Sequence, residues 1–413
     1  MKTSLTLLIT AGAILPAMLS FCSKEPVPGR DSQENDGTES PAANVRLDTT
    51  IIVTGVEFPE GYDWKRDTAY GTVDCRIVMF KNWERVMTVP AGESDPACGD
   101  PDMHRIVDGS LYTEYSSPLE TILTCDGKTL FSFPGRELFC GMVKDGEGLW
   151  LLGQDRDGKG FTLRKDGKEI LRSENGIIPG RMDSPMLPTG ALYKDGNRLC
   201  FAWKTVEIVG VAKKTDWHLY CDGEVTDIPY SQSSGEVCDI RMAGGVLCMI
   251  TAKRASGSLT LTVGDSAYEL RDSEPFTTIG CRIVPREGGI MVTADVVSEK
   301  GKAYSCLWDG QELKTRVNGS SVVFSVSGDK IASISCEEDG SVYTVSGLPG
   351  NLHPGKYTRM MSPSCLCTAR ESVYLALTSD RGKPFIVSSD GKKEVDINGY
   401  LTSITVSITE TIF

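Results

Sequence analysis

Two kinds of segment in this chain carry side chains that could bind a ligand. A proline, a glycine and a basic residue follow one another at Pro134-Gly135-Arg136, Pro179-Gly180-Arg181 and Pro354-Gly355-Lys356. Residues 59–67 form an aromatic and charged cluster. These cations and rings predict a binding surface for an acidic or sugar-like ligand, with the rings as stacking platforms. The candidate residues are Tyr62, Asp63, Trp64, Arg66, Arg136, Arg181, Asp183 and Lys356.

The same residues also have a structural interpretation. In it, the arginines and lysine of these turns pair with loop carboxylates such as Glu137 and Asp183. A weaker candidate for ligand contacts is Trp217, together with an insertion at residues 204–216.

The motifs of catalysis are missing from the sequence. It contains no GxSxG, HExxH, GxxxxGK[ST] or GxGxxG pattern. The three histidines, His104, His218 and His353, each have a structural explanation, and no catalytic residue, metal or cofactor is predicted. Paired carboxylates on inner strands would suit a glycosidase. The candidates for that chemistry are Asp183, Asp239 and Asp295, so a polysaccharide hydrolase or lyase is the alternative to a binding protein.

Charge narrows the set of partners. The 413 residues include 43 Lys and Arg against 56 Asp and Glu, a net charge of −13. Because a phosphate backbone would be repelled, nucleic acid is not an expected partner. The expected partner is a glycan or another protein. The chain itself is expected to be a monomer.

The first residues read as an export signal. Lys2 precedes a largely apolar stretch from Leu5 to Leu19, which is too short for a comfortable membrane span. Leu19-Ser20-Phe21-Cys22 resembles the lipobox of bacterial lipoproteins, although Phe21 replaces the small residue usual in that family. The charged residues after Cys22 resemble those of Bacteroidetes surface lipoproteins.

The resemblance implies a lipid attached at Cys22 and a location at the outer membrane or cell surface. The membrane would then be contacted only through the lipid anchor. An ordinary secreted protein is the alternative. The segment 1–21 is thus assigned as signal peptide, 22–45 as a disordered tether and 46–413 as the folded domain.

Cysteines offer no metal site. Without Cys22, 13 remain, with no CxxC pair. Most of these cysteines lie in alternating apolar runs and are expected to be buried thiols. Disulfides between some of them are possible, but the sequence does not assign the pairs. The cysteines in such runs are Cys75, Cys140, Cys200, Cys248, Cys281, Cys306, Cys336, Cys365 and Cys367.

Short alternating runs of β-formers from Thr49 to the end predict an all-β fold. Turn signals between them recur in two series, and an Asp-Gly pair suits a hairpin because both central residues need positive φ. The first series has eight members: Asn82, Asp126-Gly127, Asp166-Gly167, Asp222-Gly223, Gly264-Asp265, Asp309-Gly310, Gly347 and Asp390-Gly391. The second has seven: Asp108-Gly109, Asp145-Gly146, Asp195-Gly196, Gly244-Gly245, Gly288-Gly289, Gly328-Asp329 and Arg370-Glu371.

A four-stranded repeat explains both series. The second would join strands A and B, and the first would join strands C and D. One A–B connection is then cut by the chain termini, so residues 401–409 would pair with residues 49–56. The sequence predicts a β-propeller of eight four-stranded blades closed by this pairing, with seven blades or two packed β domains as alternatives. Nearly continuous apolar B strands place Trp150, Trp203, Met249, Met291 and Tyr374 in the core.

Overall fold

The computed structural model of the chain describes residues 45–66, 73–90, 104–116, 119–146, 148–155, 158–179, 191–210, 212–231, 234–271, 275–286, 289–300, 303–308, 313–317, 322–327, 330–336, 343–346, 358–361, 363–369, 372–379 and 381–412. The chain divides into two compact units, residues 1–46 with 412–413 and residues 47–411. The second unit contains almost all of the described residues. Its described part consists of β-strands, turns and two single-turn 3-10 helices, Arg254–Ser256 and Pro363–Cys365.

The described strands form eight antiparallel sheets. Alternating β-branched and aromatic residues form them because such side chains pack well on a pleated, half-buried surface. The first sheet contains β1 (Val45–Glu57), β2 (Arg76–Lys81), β3 (Glu84–Pro90) and the C-terminal β33 (Gly399–Ile412). The second contains β4 (His104–Val107), β5 (Ser110–Ser116), β6 (Glu120–Cys125) and β7 (Lys128–Pro134). The third contains β8 (Glu137–Asp145), β9 (Gly148–Asp155), β10 (Phe161–Lys165) and β11 (Lys168–Ser173).

The fourth to sixth sheets follow in chain order. The fourth differs from its neighbours in having two short strands, β12 and β13, that both pair with β14. These three sheets contain β12 (Gly176–Ile177), β13 (Tyr193–Asp195), β14 (Arg198–Val209), β15 (Ala212–Cys221) and β16 (Glu224–Ile228); β17 (Glu236–Ala243), β18 (Val246–Lys253), β19 (Ser258–Val263) and β20 (Ser266–Arg271); and β21 (Phe276–Arg286), β22 (Gly289–Ser298), β23 (Ala303–Trp308) and β24 (Leu313–Val317).

Three strands of the seventh sheet lie within the described residues, and in the eighth both β28 and β29 pair with β30. The strands of these two sheets are β25 (Val322–Ser327), β26 (Lys330–Cys336) and β27 (Tyr343–Ser346); and β28 (Thr358–Arg359), β29 (Leu366–Ala369), β30 (Ser372–Ser379), β31 (Phe385–Ser388) and β32 (Gly391–Glu394).

One hairpin turn recurs between the third and fourth strands of successive sheets. Both central residues have positive φ at Asn82-Trp83, Asp126-Gly127, Asp166-Gly167 and Asp222-Gly223. These are type I′ turns, so Asn82 belongs to the same series as the Asp-Gly pairs. Gly167 also lies so close to Phe131 of the second sheet that a Cβ would be 2.8 Å from its ring. This turn therefore needs glycine both for its φ and for contact between sheets.

Consecutive sheets pack face to face through apolar side chains. Leu111 of the second sheet lies in the core cluster of the first, and the Phe161 and Phe201 ring centroids are 5.4 Å apart between the third and fourth. Four further core clusters contain residues of two sheets: Tyr112 and Phe139, Cys200 and Ile240, Ile250 and Ile283, and Val53 and Ala376. Such stacking of antiparallel four-stranded sheets in chain order defines the class of this fold as a β-propeller. That all the sheets form one closed ring of eight stays a prediction.

The first sheet contains strands from both ends of the folded unit. β33 lies beside β1, which is the pairing that the sequence predicted. The Thr54 Oγ1 atom is 2.8 Å from Thr402 Oγ1 and 2.6 Å from Ser403 Oγ, and the Phe58 N–H donates to the Asn398 carbonyl at 2.8 Å. Both threonines are completely buried, so each hydroxyl satisfies the other.

Several sequence predictions need correction in the fourth sheet. Cys200 is not a free thiol, because it forms a disulfide with Cys221, its direct partner across β14 and β15. Residues 204–216 form the extension of this same hairpin. Trp217 is 4% exposed and packs in the core, so it is not available for ligand contacts.

The predicted core residues are largely buried. Trp203, Met291 and Tyr374 are at most 7% exposed. Trp150 and Met249 are half-buried at the edges of the clusters between sheets. The free cysteines Cys75, Cys140, Cys248, Cys281 and Cys365 are buried and Cys367 is half-buried, whereas the side chains of Cys306 and Cys336 lie outside the description.

Candidate functional site

A groove with a volume of about 880 Å³ lies between the second and third sheets. Its first wall is β7 with the following Gly135-Arg136 connection, and its second wall is the β10–β11 hairpin. Because β7 and β11 are the last, mostly exposed strands of their sheets, the groove opens to solvent. We refer to it as the β7–β11 groove.

A buried ion pair forms part of its lining. Arg164 donates two hydrogen bonds to Glu137, of 2.5 and 2.6 Å, and the two side chains are only 8% and 7% exposed. The guanidinium of Arg164 also lies 4.3 Å above the ring centre of Phe133. This bidentate pair is neutral as a unit and fixes β8 against β10.

Three further cations line the groove: Arg136, Lys168 and Arg172. Arg136 is half-buried, and its Nε atom is buried without a hydrogen-bond partner. Lys168 and Arg172 are exposed. Within the described part of the chain, these three side chains form no ion pair. They are therefore the groups that could meet an incoming anion.

Carboxylates stand among these cations. Asp166 Oδ1 accepts the Leu149 N–H at 2.8 Å, so this carboxylate serves the turn. Glu169 is exposed and lies opposite Arg164 in the strand register, and Asp155 is half-buried at the end of β9. The groove thus offers both guanidinium donors and carboxylate acceptors.

Arg136 is the one sequence-predicted candidate in this groove. Its structural interpretation, a pair with Glu137, does not hold because the Glu137 carboxylate is bound to Arg164. Arg181, Asp183 and Lys356 lie outside the described residues.

The loop of residues 59–66 has a different role from the predicted one. Trp64 is 2% exposed and its ring centroid lies 5.3 Å from that of Tyr400, so it cannot be a stacking platform for a ligand. Tyr62 is half-buried, 5.4 Å from the ring of Phe58. Asn398 donates to the Pro59 and Tyr62 carbonyls, which holds the loop against the first sheet.

Asp63 and Arg66 remain on the surface of that loop. Their charged atoms are 3.3 Å apart, and the side chains are 56% and 89% exposed. A pair this exposed contributes little to stability. The structure does not bring either residue to the β7–β11 groove.

A second cavity of about 620 Å³ lies near the start of β33. Arg85 donates two hydrogen bonds of 2.6 and 2.8 Å to Glu57, and these raise the pKa of Arg85. Asp396 is hydrogen-bonded to Lys383 at 2.8 Å, which lowers the pKa of the Asp396 carboxyl. Arg85, Glu57 and Asp396 are therefore already paired, and Glu60, Asp74 and Arg76 are the other charged residues that line this cavity.

Of the carboxylates considered for glycosidase chemistry, Asp239 is the one whose side chain the structure describes. Asp239 accepts the Ile240 and Ile283 N–H groups at 2.9 and 2.7 Å and contacts Arg241, which ties β17 to β21. Asp183 and the side chain of Asp295 lie outside the description.

Of the three histidines, His218 has a described side chain. It lies between Thr205 Oγ1 at 3.1 Å and Asp227 Oδ1 at 2.8 Å, with its ring 5.1 Å from that of Trp203. Both ring nitrogens are thus engaged in linking β14, β15 and β16. Within the described residues, no group of three or more His, Cys, Asp or Glu side chains could hold a metal ion.

Sequence reasoning missed Arg164, Lys168 and Arg172. The signal was present in the segment 164–172, RKDGKEILR, in which basic residues surround a single Asp-Gly turn. A search for long basic runs overlooked it because the hairpin, and not the sequence, brings both strands into one wall.

No protein-family model matches the chain, and no curated protein does. Among solved structures, it is similar to the β-propeller domain of the Trilobed protease from Pyrococcus furiosus (TM-score 0.44, 13% identity, covering 73% of this chain and 91% of that one). It is also similar to an acylaminoacyl peptidase from Pyrococcus horikoshii (TM-score 0.43, 12% identity). That match covers 78% of this chain and 53% of the peptidase, so the chain spans about half of the peptidase. A third similar structure is the SapL1 lectin in complex with alpha methyl fucoside (TM-score 0.34, 12% identity). That match covers 62% of this chain and 94% of the lectin.

Proposed function

We propose that this protein is an exported, lipid-anchored β-propeller that binds an anionic ligand in the β7–β11 groove without transforming it. One observation carries the binding function: Arg136, Lys168 and Arg172 line one cavity and have no anionic partner in the described part of the chain. A guanidinium facing a carboxylate forms strong, bidentate, charge-assisted hydrogen bonds. An anion would therefore complete this groove.

The charge of the whole chain makes the groove distinctive. A protein with net charge −13 repels anions over most of its surface. The fixed Glu137–Arg164 pair cancels itself, and the other three cations stand among carboxylates, so an anion is held by contact with individual cationic groups and not by a net positive charge of the groove. Because surface charges are screened within about 10 Å at 0.1 M salt, binding there should depend on contact and weaken as salt rises.

Binding of polyanions tests this function. Labelled polygalacturonate and poly-glutamate are titrated against the purified protein in low and high salt, with the Arg136→Gln/Arg172→Gln double variant and the Lys81→Gln variant beside it. Lys81 is exposed and lies in the first sheet, away from the groove. At least one polymer should bind, more weakly in high salt and at least tenfold more weakly to the double variant. If neither polymer binds, or if the double variant binds equally, the proposed function is wrong.

The same titration separates binding from hydrolysis. Polygalacturonate recovered after incubation should keep its length, since no pair of catalytic carboxylates lies in the described groove. Shortened chains would instead favour the hydrolase or lyase alternative.

Export and lipid anchoring rest on the sequence around Cys22, and the Cys200–Cys221 disulfide supports them because disulfides persist in oxidising compartments. Within the described residues, no helix is long and apolar enough to cross a membrane. The Cys22→Ala variant should move from the membrane fraction to the soluble fraction of a bacterial host that makes lipoproteins. Unchanged membrane association would contradict the anchor and leave the groove unaffected.

A further inference from the structure

We infer that the ligand of the β7–β11 groove is an acidic oligosaccharide, a chain of sugars that bear carboxylates. This inference rests on the proposed function and specifies the ligand class. Two observations favour a saccharide over an acidic peptide, namely the mixed charge of the lining and the irregular edges of the strands that form the walls.

The lining has acceptors as well as donors. Arg136 and Arg172 can each donate to a carboxylate, whereas the carboxylate of Glu169 accepts hydrogen bonds. A uronic acid presents a carboxylate and several hydroxyl groups on one ring, so it satisfies both kinds of lining group. The side chains of an acidic peptide present carboxylates alone, and Glu169 would repel them.

The edges of the walls hinder an extended peptide. Peptides commonly add to a sheet by pairing their backbone with an exposed edge strand. In β7 the register shifts between Leu123 and Thr124 of its partner, and in β11 it shifts between Leu163 and Arg164. Each shift leaves one outer residue, Leu130 or Ile170, without a partner in the register. Such bulges interrupt the regular backbone ladder that an added strand needs.

The aromatic rings of the groove are partly covered by other residues. The face of Phe133 is covered by Arg164, and Phe131 is contacted by Gly167. Recognition therefore depends on hydrogen bonds, so a neutral sugar would lose the two guanidinium contacts and bind weakly.

Calorimetry with short probes tests the inference. Tetragalacturonate, a neutral tetrasaccharide of galactose and tetraglutamate are titrated against the purified protein. Tetragalacturonate should bind at least tenfold more tightly than either of the others, because the neutral sugar cannot form charge-assisted hydrogen bonds with Arg136 and Arg172, and Glu169 repels the carboxylates of tetraglutamate.

Variants then assign the contacts. Arg136→Gln and Arg172→Gln should each weaken tetragalacturonate about tenfold, Glu169→Gln should weaken it severalfold, and the exposed Lys81→Gln should not change it. Thermal unfolding of each variant checks that it is folded. Equal or tighter binding of tetraglutamate would overturn the saccharide and keep the anion-binding function. Equal binding of the neutral sugar would overturn the role of the carboxylate, and no binding by any probe would contradict the function itself.

Discussion

At the scale of single residues, the most consequential feature is the buried Glu137–Arg164 pair. Both groups are more than nine-tenths buried, and Arg164 is held on one side by Phe133. Removing one partner of such a pair leaves an uncompensated charge inside the protein, which costs far more than the pair itself contributes.

We therefore predict that Glu137→Gln lowers the free energy of unfolding by about 3–5 kcal/mol. The Glu57→Gln variant is the matched control, because its partner Arg85 is 37% exposed and remains hydrated. That change should cost about 1 kcal/mol or less. Urea unfolding of both variants measures the difference. Equal losses would show that burial of the Glu137 pair has no special cost, and the apolar double variant Glu137→Leu/Arg164→Met should recover much of the stability.

Turn residues show how far the sequence can be interpreted at this scale. Positive φ was predictable at Asp126 and Asp166, because Asp-Gly is the known signal for a type I′ hairpin. The second role of the aspartate was not predictable. Asp126 Oδ1 accepts the Leu111 N–H at 2.8 Å, as Asp166 does for Leu149, so each turn also caps the second strand of its sheet. This contact spans two strands and has no local signature.

At the scale of elements, the A–B turns of neighbouring sheets are linked to one another. Lys144 approaches Asp108 to 3.8 Å, and Lys194 approaches Asp145 to 2.7 Å. Asp195 continues the series by accepting the Gly244 and Gly245 N–H groups at 2.6 and 2.9 Å. One side of the sheet stack is thus connected by polar contacts between turns.

Asp195 makes one of these links sensitive to acid. Burial alone would raise its pKa, but hydrogen bonds from the Gly245 N–H, Arg198 and the Gly244 N–H outweigh burial, so the pKa lies below the usual 3.8. A carboxylate with a lowered pKa in the folded state stabilises the protein above the unfolded-state value. This contribution is lost as pH falls through the folded-state value.

The Asp195→Asn variant should therefore be less stable than the wild type at pH 7, and the difference should begin to shrink below about pH 5 and go on shrinking as pH falls through the folded-state pKa, which lies below 3.8. Urea unfolding across this range measures the effect. The Asp145→Asn variant is the comparison, because the Asp145–Lys194 pair is exposed. The stability difference caused by Asp145→Asn should vanish at high salt, whereas the difference caused by Asp195→Asn should persist. A constant difference between wild type and Asp195→Asn at every pH would contradict the assignment.

Elements also mark the limit of prediction for the candidate site. The loop of residues 59–66 was chosen because its residue types suit ligand binding, but composition does not distinguish a ring that faces solvent from one that closes a core. Trp64 packs with Phe58 and Tyr400, which is more than 330 residues away in the sequence. The groove likewise depends on two sheets meeting, so only Arg136 was found in advance.

At the scale of the whole molecule, the strand count and the turn series were sufficient to predict an all-β stack of four-stranded sheets. Repetition made this possible, because each hairpin repeats a local signal. The fourth sheet was harder to predict, since its extended β14–β15 hairpin and two short first strands depart from the repeat.

The pairing of β33 with β1 leads to the prediction with the widest consequence. The C-terminal strand β33 is the first strand of the first sheet and pairs with β1. While β33 is present, the edge of β1 is therefore not exposed. Deleting residues 399–413 would expose this edge and leave the buried Thr54 hydroxyl without Thr402 and Ser403. It would also uncover the apolar surface that Leu401 and Ile404 now bury against the eighth sheet.

Because no single sheet can bury its own faces, damage at this joint should spread to its neighbours. We expect the truncated chain to aggregate or to unfold in a broad, non-cooperative transition, whereas deletion of residues 1–44, which precede β1, should leave the transition unchanged. Circular dichroism during heating and size-exclusion chromatography report both properties. A truncated chain that stayed monomeric and unfolded as sharply as the wild type would show that the terminal strands are not what holds the stack together.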